Sequence, residues 1–169
     1  MKLTEIFTTN RPIIGALHFC PLIGYEDFLG IDFILDKALA DLEAFEKGGV
    51  DSVIIENNYD LPHQIIVGHE TVAMMTMLAL EILKRTSLPL GIDVLWNDYE
   101  AALSIAKVTD LKFVRIAVFV DDVQTDFGKI FGEAGKVLAY RKEIQAEKVA
   151  LFTDIQVKHA VMLKQKLYY

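Results

Sequence analysis

Five ionisable side chains sit inside short apolar runs, where burial would make each of them costly: His18, Glu56, Asp93, Arg115 and Asp154. A buried charge is tolerated when it is paired or when it works. Side chains alternate faces along an extended chain, so every run splits into two sets. One set is almost wholly apolar: Ile13 and Leu17; Val53 and Ile55; Leu90, Ile92, Val94 and Trp96; Val114, Ile116 and Val118; Leu151, Thr153 and Ile155. The other holds small residues and all the ionisable groups: Ala16 and His18; Ser52 and Glu56; Gly91, Asp93 and Asn97; Arg115 and Ala117; Ala150, Asp154 and Gln156. A histidine and carboxylates sharing one face can exchange protons with a ligand. His18, Glu56 and Asp154 are therefore the candidate catalytic groups, and Asp93 and Arg115 candidate ligand contacts. A structural network in which Arg115 neutralises Asp93 or Glu56 explains the same residues without chemistry, and the deeper Asp93 fits it at least as well.

Weaker signals surround these runs. Glu56-Asn57-Asn58 offers amides that orient a hydroxyl or make turn hydrogen bonds. Asn97 and Asp98 stand where a helix must begin, and either can cap it. Lys158 shares the parity of Asp154 and, with His159, reads as an anion or proton contact at the mouth or as plain surface. The stretch Asp121-Asp122…Asp126-Phe127-Gly128 reads as a solvated acidic loop before a cation site. Cys20 has no evident base partner. The chain has no GxGxxG, P-loop, HExxH or CxxC pattern. No metal-ligand set and no cofactor are assigned.

The elements that must position these groups alternate. Strand-like runs at 13–18, 52–57, 90–96, 113–119 and 149–155 are separated by helical patterns. These cover about 35–45 (stopped by Gly48-Gly49), 70–86, 97 or 98 to 108, and 132–146. Such alternation predicts parallel βαβ units in one domain over 1–169. An open sheet covered by helices on both faces is apolar on both sides. One polar set shared by all five runs instead predicts a (β/α) barrel with that set in its interior. The balance of 17 Lys plus Arg against 24 Asp plus Glu, net −7, argues against nucleic-acid binding. One cysteine and no signal-like or spanning apolar stretch predict a cytoplasmic protein.

Five motifs in order resemble one family. Ile14-Gly15-Ala16-Leu17-His18-Phe19-Cys20-Pro21-Leu22-Ile23-Gly24 resembles the opening motif of the BtpA/SgcQ family. Gly48-Gly49-Val50-Asp51-Ser52-Val53-Ile54-Ile55-Glu56-Asn57, Pro89 to Asp98, Asp126-Phe127-Gly128 with Gly132-Glu133-Ala134, and Asp154 to Ala160 are similar to its later motifs. The resemblance implies a TIM-barrel-like fold of which about five of eight βα units are present. It carries over His18, Glu56, Asn57, Asn97, Asp98, Asp154, Lys158 and His159 as a pocket. The family's namesake is needed for stable photosystem I, and other members sit near sugar-uptake genes. Two functions follow as expectations, with catalysis left open. One is binding of a small phosphorylated or sugar-derived metabolite at the C-terminal strand ends. The other is a non-catalytic assembly or stability factor of the photosystem I biogenesis type, with a protein partner and peripheral membrane association allowed. Asp93, Trp96 and Gln156 depart from the family's usual asparagine, arginine and histidine, making the interior more acidic. Missing strands predict truncation and, through open edges, homo-oligomers.

Overall fold

The structure, a computed structural model, describes residues 3–164. Each apolar run is extended, over a shorter span than its composition suggests: β1 (Ile14–His18), β2 (Ser52–Glu56), β3 (Leu90–Asp93) and β4 (Phe113–Ile116). Helices α1 (Ile31–Gly48), α2 (His69–Leu83) and α3 (Tyr99–Thr109) follow the first three strands. Between β4 and β7 (Ala150–Thr153) lie a hairpin, β5 (Val123–Thr125) and β6 (Gly128–Ile130), and helix α4 (Ala134–Glu143). A last short strand, β8 (Val161–Met162), follows β7. The helix ends obey local rules. Gly49 adopts a left-handed φ of 77° and its N–H reaches the carbonyls of Glu46 and Phe45, closing α1. Asp98 accepts the Ala101 N–H and is the cap of α3.

β1, β2, β3, β4 and β7 form a parallel sheet in that order. The order never reverses, so the sheet has no switch point of the doubly wound kind. Right-handed crossovers that always advance in one direction put their helices on one side, and the packing agrees. Ile34 and Leu42 of α1, Met75 and Leu78 of α2, Leu103 and Ile105 of α3 and Val137 of α4 join one core with Leu17, Val53, Ile55, Ile92 and Val114. The opposite face has a separate cluster of Ile54, Phe113 and Ala150, edged by Ile14 and Phe152, to which no described helix contributes. An α/β fold with helices gathered on one face of a parallel sheet is consistent with a TIM-barrel-like wall.

Phe7, from the segment ahead of β1, covers the helix-free face. Its ring meets Phe113 edge-on at 5.9 Å and Phe152 at 6.1 Å, and those two stack at 4.5 Å. Gly91 makes room for this arrangement, since a Cβ there would lie 2.2 Å from the Phe113 ring.

Two expectations are corrected. The alternation stops where the hydrogen-bonded strands stop, at Asp93, Ile116 and Thr153. Beyond those points Trp96 and Val118 do not face the helices. They join Ala117, Val123, Ile130 and Val157 in a third cluster. Ile155 and Gln156, expected on opposite faces, are both exposed, and Gln156 has a left-handed φ of 56°. The acidic stretch after β4 is not a plain loop: β5 pairs antiparallel with β6 and with β8 in a small second sheet. Asp122 there accepts the Gly132 N–H at 3.0 Å.

Phe7 is 3% exposed, so Phe7→Ala removes a buried ring from a cluster that has no helix to collapse inward. The expected loss is about 3–5 kcal/mol, read as a lower denaturation midpoint in urea; a loss under about 1 kcal/mol would contradict the role given to this segment.

Candidate functional site

Parallel pairing brings the ionisable groups into one row across the helix-free face. Register sets His18 opposite Glu56 and Glu56 opposite Asp93. Arg115 is two residues past Phe113, the partner of Gly91, and so continues the row beside Asp93. Asp154 follows β7 directly, its N–H bonded to the Ile116 carbonyl at 3.2 Å. All five lie at the C-terminal ends of their strands, where each side chain leans toward its neighbour's.

The row divides into two parts. Arg115 donates from one terminal nitrogen to Asp93 Oδ2 at 2.7 Å. Its Nε and other terminal nitrogen bind both Asp154 oxygens at 3.1 and 2.7 Å. Planar two-point pairing of this kind is the strongest guanidinium geometry. At the other end His18 Nε2 lies 3.4 Å from Glu56 Oε2, with His18 about one-third exposed and Glu56 nearly buried.

Burial dominates the acid–base properties. It pushes Glu56 above its ordinary value, against the pull of Arg115, His18 and Lys158 and with some help from Asp154. It pushes Asp93 up to about 8, with Arg115 opposing and Glu56 and Asp154 adding repulsion. For Arg115 burial works against the charge, but the Asp154 hydrogen bonds and the Asp93 carboxylate hold its pKa above the ordinary value. At neutral pH Asp93 is thus largely a neutral acid, and Arg115 with Asp154 forms a compensated pair.

A cavity of about 660 Å³ opens above this row. His18, Glu56 and Arg115 form its base, and Lys158 and His159 stand on one wall. Asp93 is sealed beneath Arg115, 1% exposed. Three other expected contacts hold loops in place. Asn57 is fully buried; it accepts the Leu95 N–H at 2.7 Å and donates to Asp60 and to the Leu95 carbonyl. Asn97 clamps Val118 through its N–H and its carbonyl, joining the segments after β3 and β4. Asp98 caps α3 with one oxygen and accepts the Val67 N–H with the other, at 2.9 Å.

The cavity also uses residues that strand alternation could not find. Trp96, His63, Phe127, Asp126 and Asn58 line it. His63 and Phe127 meet edge-on at 5.1 Å, and burial lowers the His63 pKa. They come from the segments after β2 and between β5 and β6; Phe127 lay in the Asp126-Phe127-Gly128 stretch already singled out, while position after a parallel strand was the signal for His63. Among the described residues, no group of three or more His, Cys, Asp or Glu is placed to hold a metal ion.

A family model described as the BtpA family matches residues 9–168. The chain belongs to the BtpA family. It is 36% identical over 162 residues to the photosystem I biogenesis protein BtpA of Synechocystis sp., covering 95% of this chain and 56% of that one. It is 32% identical over 164 residues to the putative sgc region protein SgcQ of Escherichia coli, covering 95% and 60%. An uncharacterized protein of Archaeoglobus fulgidus is 42% identical over 153 residues, covering 90% and 61%. This BtpA-family chain therefore spans about three-fifths of the length of these curated relatives. No helix among the described residues is long and apolar enough to cross a membrane.

Asp93 makes a testable contribution to the stability of this BtpA-family chain. Folded, Asp93 keeps its proton up to about pH 8; unfolded, it releases it near its ordinary value of 3.8. The folded state binds the extra proton between those values, so this stabilisation is complete below the lower one and disappears as pH rises through the upper one. Glu56 and Asp60, also raised by burial, act in the same direction. Asp93→Asn, which keeps the shape without the titration, is expected to flatten the fall in unfolding free energy from pH 5 to 8. An unchanged slope in denaturant titrations across that range would refute the assignment.

Proposed function

We propose that the five parallel strands are the first five units of a TIM-barrel-like wall in one incomplete domain, and that its polar mouth binds a small phosphorylated or sugar-derived metabolite. The observation that carries this reading is the row of ionisable groups at the C-terminal strand ends beneath a cavity with aromatic walls. Ligands of α/β folds bind at that end of the strands. Lys158 and His159 supply positive or donor groups for an anion, and Trp96 and Phe127 supply flat faces for the ring or carbon skeleton. His18 and Glu56 are the acid–base pair, with Asp154 acting through Arg115. The monotonic strand order and the single helical face support the barrel reading.

A second reading, an assembly factor for a membrane complex, is favoured by the name of the Synechocystis relative and by the two outer strands. β1 and β7 each have one described neighbour, and Ile13 and Ile155 beside them are exposed. Open edges of this kind recruit further strands, from a second copy or a partner.

Thermal unfolding with inorganic phosphate, ribose 5-phosphate, glucose 6-phosphate and the unphosphorylated sugars separates the two. A bound ligand at a hundredfold excess over its Kd adds about 2.7 kcal/mol, a rise in Tm of roughly 5 °C or more for a chain of this size. The metabolite reading expects that rise for at least one phosphorylated sugar, reduced in Lys158→Ala. Flat Tm values for every probe, with the protein recovered in larger assemblies by sedimentation, would replace it with the second reading.

A further inference from the structure

The two parts of the ionisable row differ in what they are free to do. Arg115 is held by Asp93 on one side and by both oxygens of Asp154 on the other. Arg115 and Asp154 satisfy one another, and Asp93 is sealed beneath Arg115, so none of the three is placed to pass a proton to a ligand in the cavity. Glu56 and His18 form the other pair in the row, 3.4 Å apart, and both line the cavity. Glu56 is desolvated, a setting that strengthens a carboxylate as a base, while His18 keeps about a third of its side chain open to the cavity mouth.

The surroundings narrow the chemistry this pair can perform. Ser52 donates to the Pro89 carbonyl at 2.6 Å at the far end of β2, and Cys20 packs against the helix-side core. Neither lies in the cavity, and among the described residues that line it there is no serine, threonine or cysteine to act as a nucleophile beside the pair. Glycoside cleavage needs two carboxyl groups across the scissile bond. Asp154 is chelated, and Asp126 is exposed to water on the β5–β6 turn, unlike the desolvated setting of a glycosidase acid. A desolvated carboxylate paired with an imidazole, beside a nearby ammonium, suits proton transfer to and from carbon. Lys158 is close enough to act on Glu56 electrostatically.

We infer that this cavity catalyses 1,2-hydrogen transfer between the aldehyde and ketone forms of a small phosphorylated sugar, with Glu56 as the carbon base, His18 as the donor to oxygen and Lys158 as the anchor for the anion. The inference rests on the metabolite reading above and names its reaction. Glu56 removes the proton from the carbon beside the carbonyl, and that C–H electron pair forms the new C=C bond. The C=O π pair moves onto oxygen, which takes a proton from His18, giving an enediol. The other enediol oxygen then returns a proton to His18 as Glu56 delivers its proton to the former carbonyl carbon. One hydrogen and one carbonyl exchange places, and no oxidant, reductant or co-reactant is consumed. Asp93, Arg115 and Asp154 hold the floor on which Glu56 stands.

The test is proton NMR of glyceraldehyde 3-phosphate, ribose 5-phosphate and glucose 6-phosphate incubated in D2O with the full chain, beside the thermal-shift titration of the same compounds. The expected result is loss of the C2 proton signal of one compound at a rate well above the protein-free control. Glu56→Gln should slow that exchange by about a hundredfold or more while leaving the Tm rise in place. Lys158→Ala should instead weaken binding with a smaller effect on exchange at saturation. A Tm rise without exchange for any compound overturns this inference and leaves the metabolite reading standing. Exchange that survives Glu56→Gln also overturns it, and absence of both signals overturns the two together.

Discussion

The fork between Arg115 and its two carboxylates is the interaction on which the rest of the site depends. It joins the ends of three strands: Asp93 ends β3, Arg115 lies in β4 and Asp154 follows β7. A guanidinium with one-quarter exposure is costly to bury unless it is paired. Three well-aligned contacts, two of them to a single carboxylate, offset that cost. Burial raises the pKa of Asp93, with repulsion from Glu56 and Asp154 adding to it and Arg115 opposing it. Glu56 is thereby left beside His18 with an enclosed carboxylate and, among the described residues, no lysine or arginine in an ion pair with it.

Around that fork, polar side chains do the work that strands do lower down. Past the C-terminal ends the chain has no ladder, so Asn57, Asn97 and Asp98 supply the bonds that a neighbouring strand would supply. Each joins the segment after one strand to the segment after another. The result is a mouth whose rim is crossed by side-chain hydrogen bonds on one side and closed by the β5–β6–β8 sheet on the other. Trp96 can serve as a wall because Leu95 is held on both its N–H and its carbonyl by Asn57. At the opposite end Phe7 and the Phe113–Phe152 stack fill the face that the helices leave uncovered. Polar rim, charged row and aromatic floor form successive layers on one side of a sheet whose other side is a conventional helical core.

Membership of the BtpA family and the five parallel strands were legible in the order of motifs and in the period-two segregation of polar groups. The row of His18, Glu56, Asp93 and Arg115 was legible for the same reason, since residues at one parity share a face whatever the register. The meeting of His63 with Phe127 was not. They lie in segments without period, and nothing in a local pattern says which of two distant loops will meet. The hairpin after β4 was also hidden: its strands are three residues each, and its turn, Asp126-Phe127, carries the acidic look of a solvated loop.

Local chemistry alone settles that α1 stops at Gly48-Gly49, that α3 begins at Asn97-Asp98, and which side of each strand is polar, because those outcomes depend on backbone preferences and on neighbours within a few residues. Which carboxylate takes Arg115 is a different matter. The sequence offered Asp93 or Glu56; the structure pairs Arg115 with Asp93 and, through two contacts, with Asp154, because distances among strands far apart in the chain decide it. The same holds for the division of the amides between ligand and scaffold. A side chain's pattern limits the face it points to, but its partner is decided by packing, which brings together groups 22 and 39 residues apart and leaves Glu56 with His18.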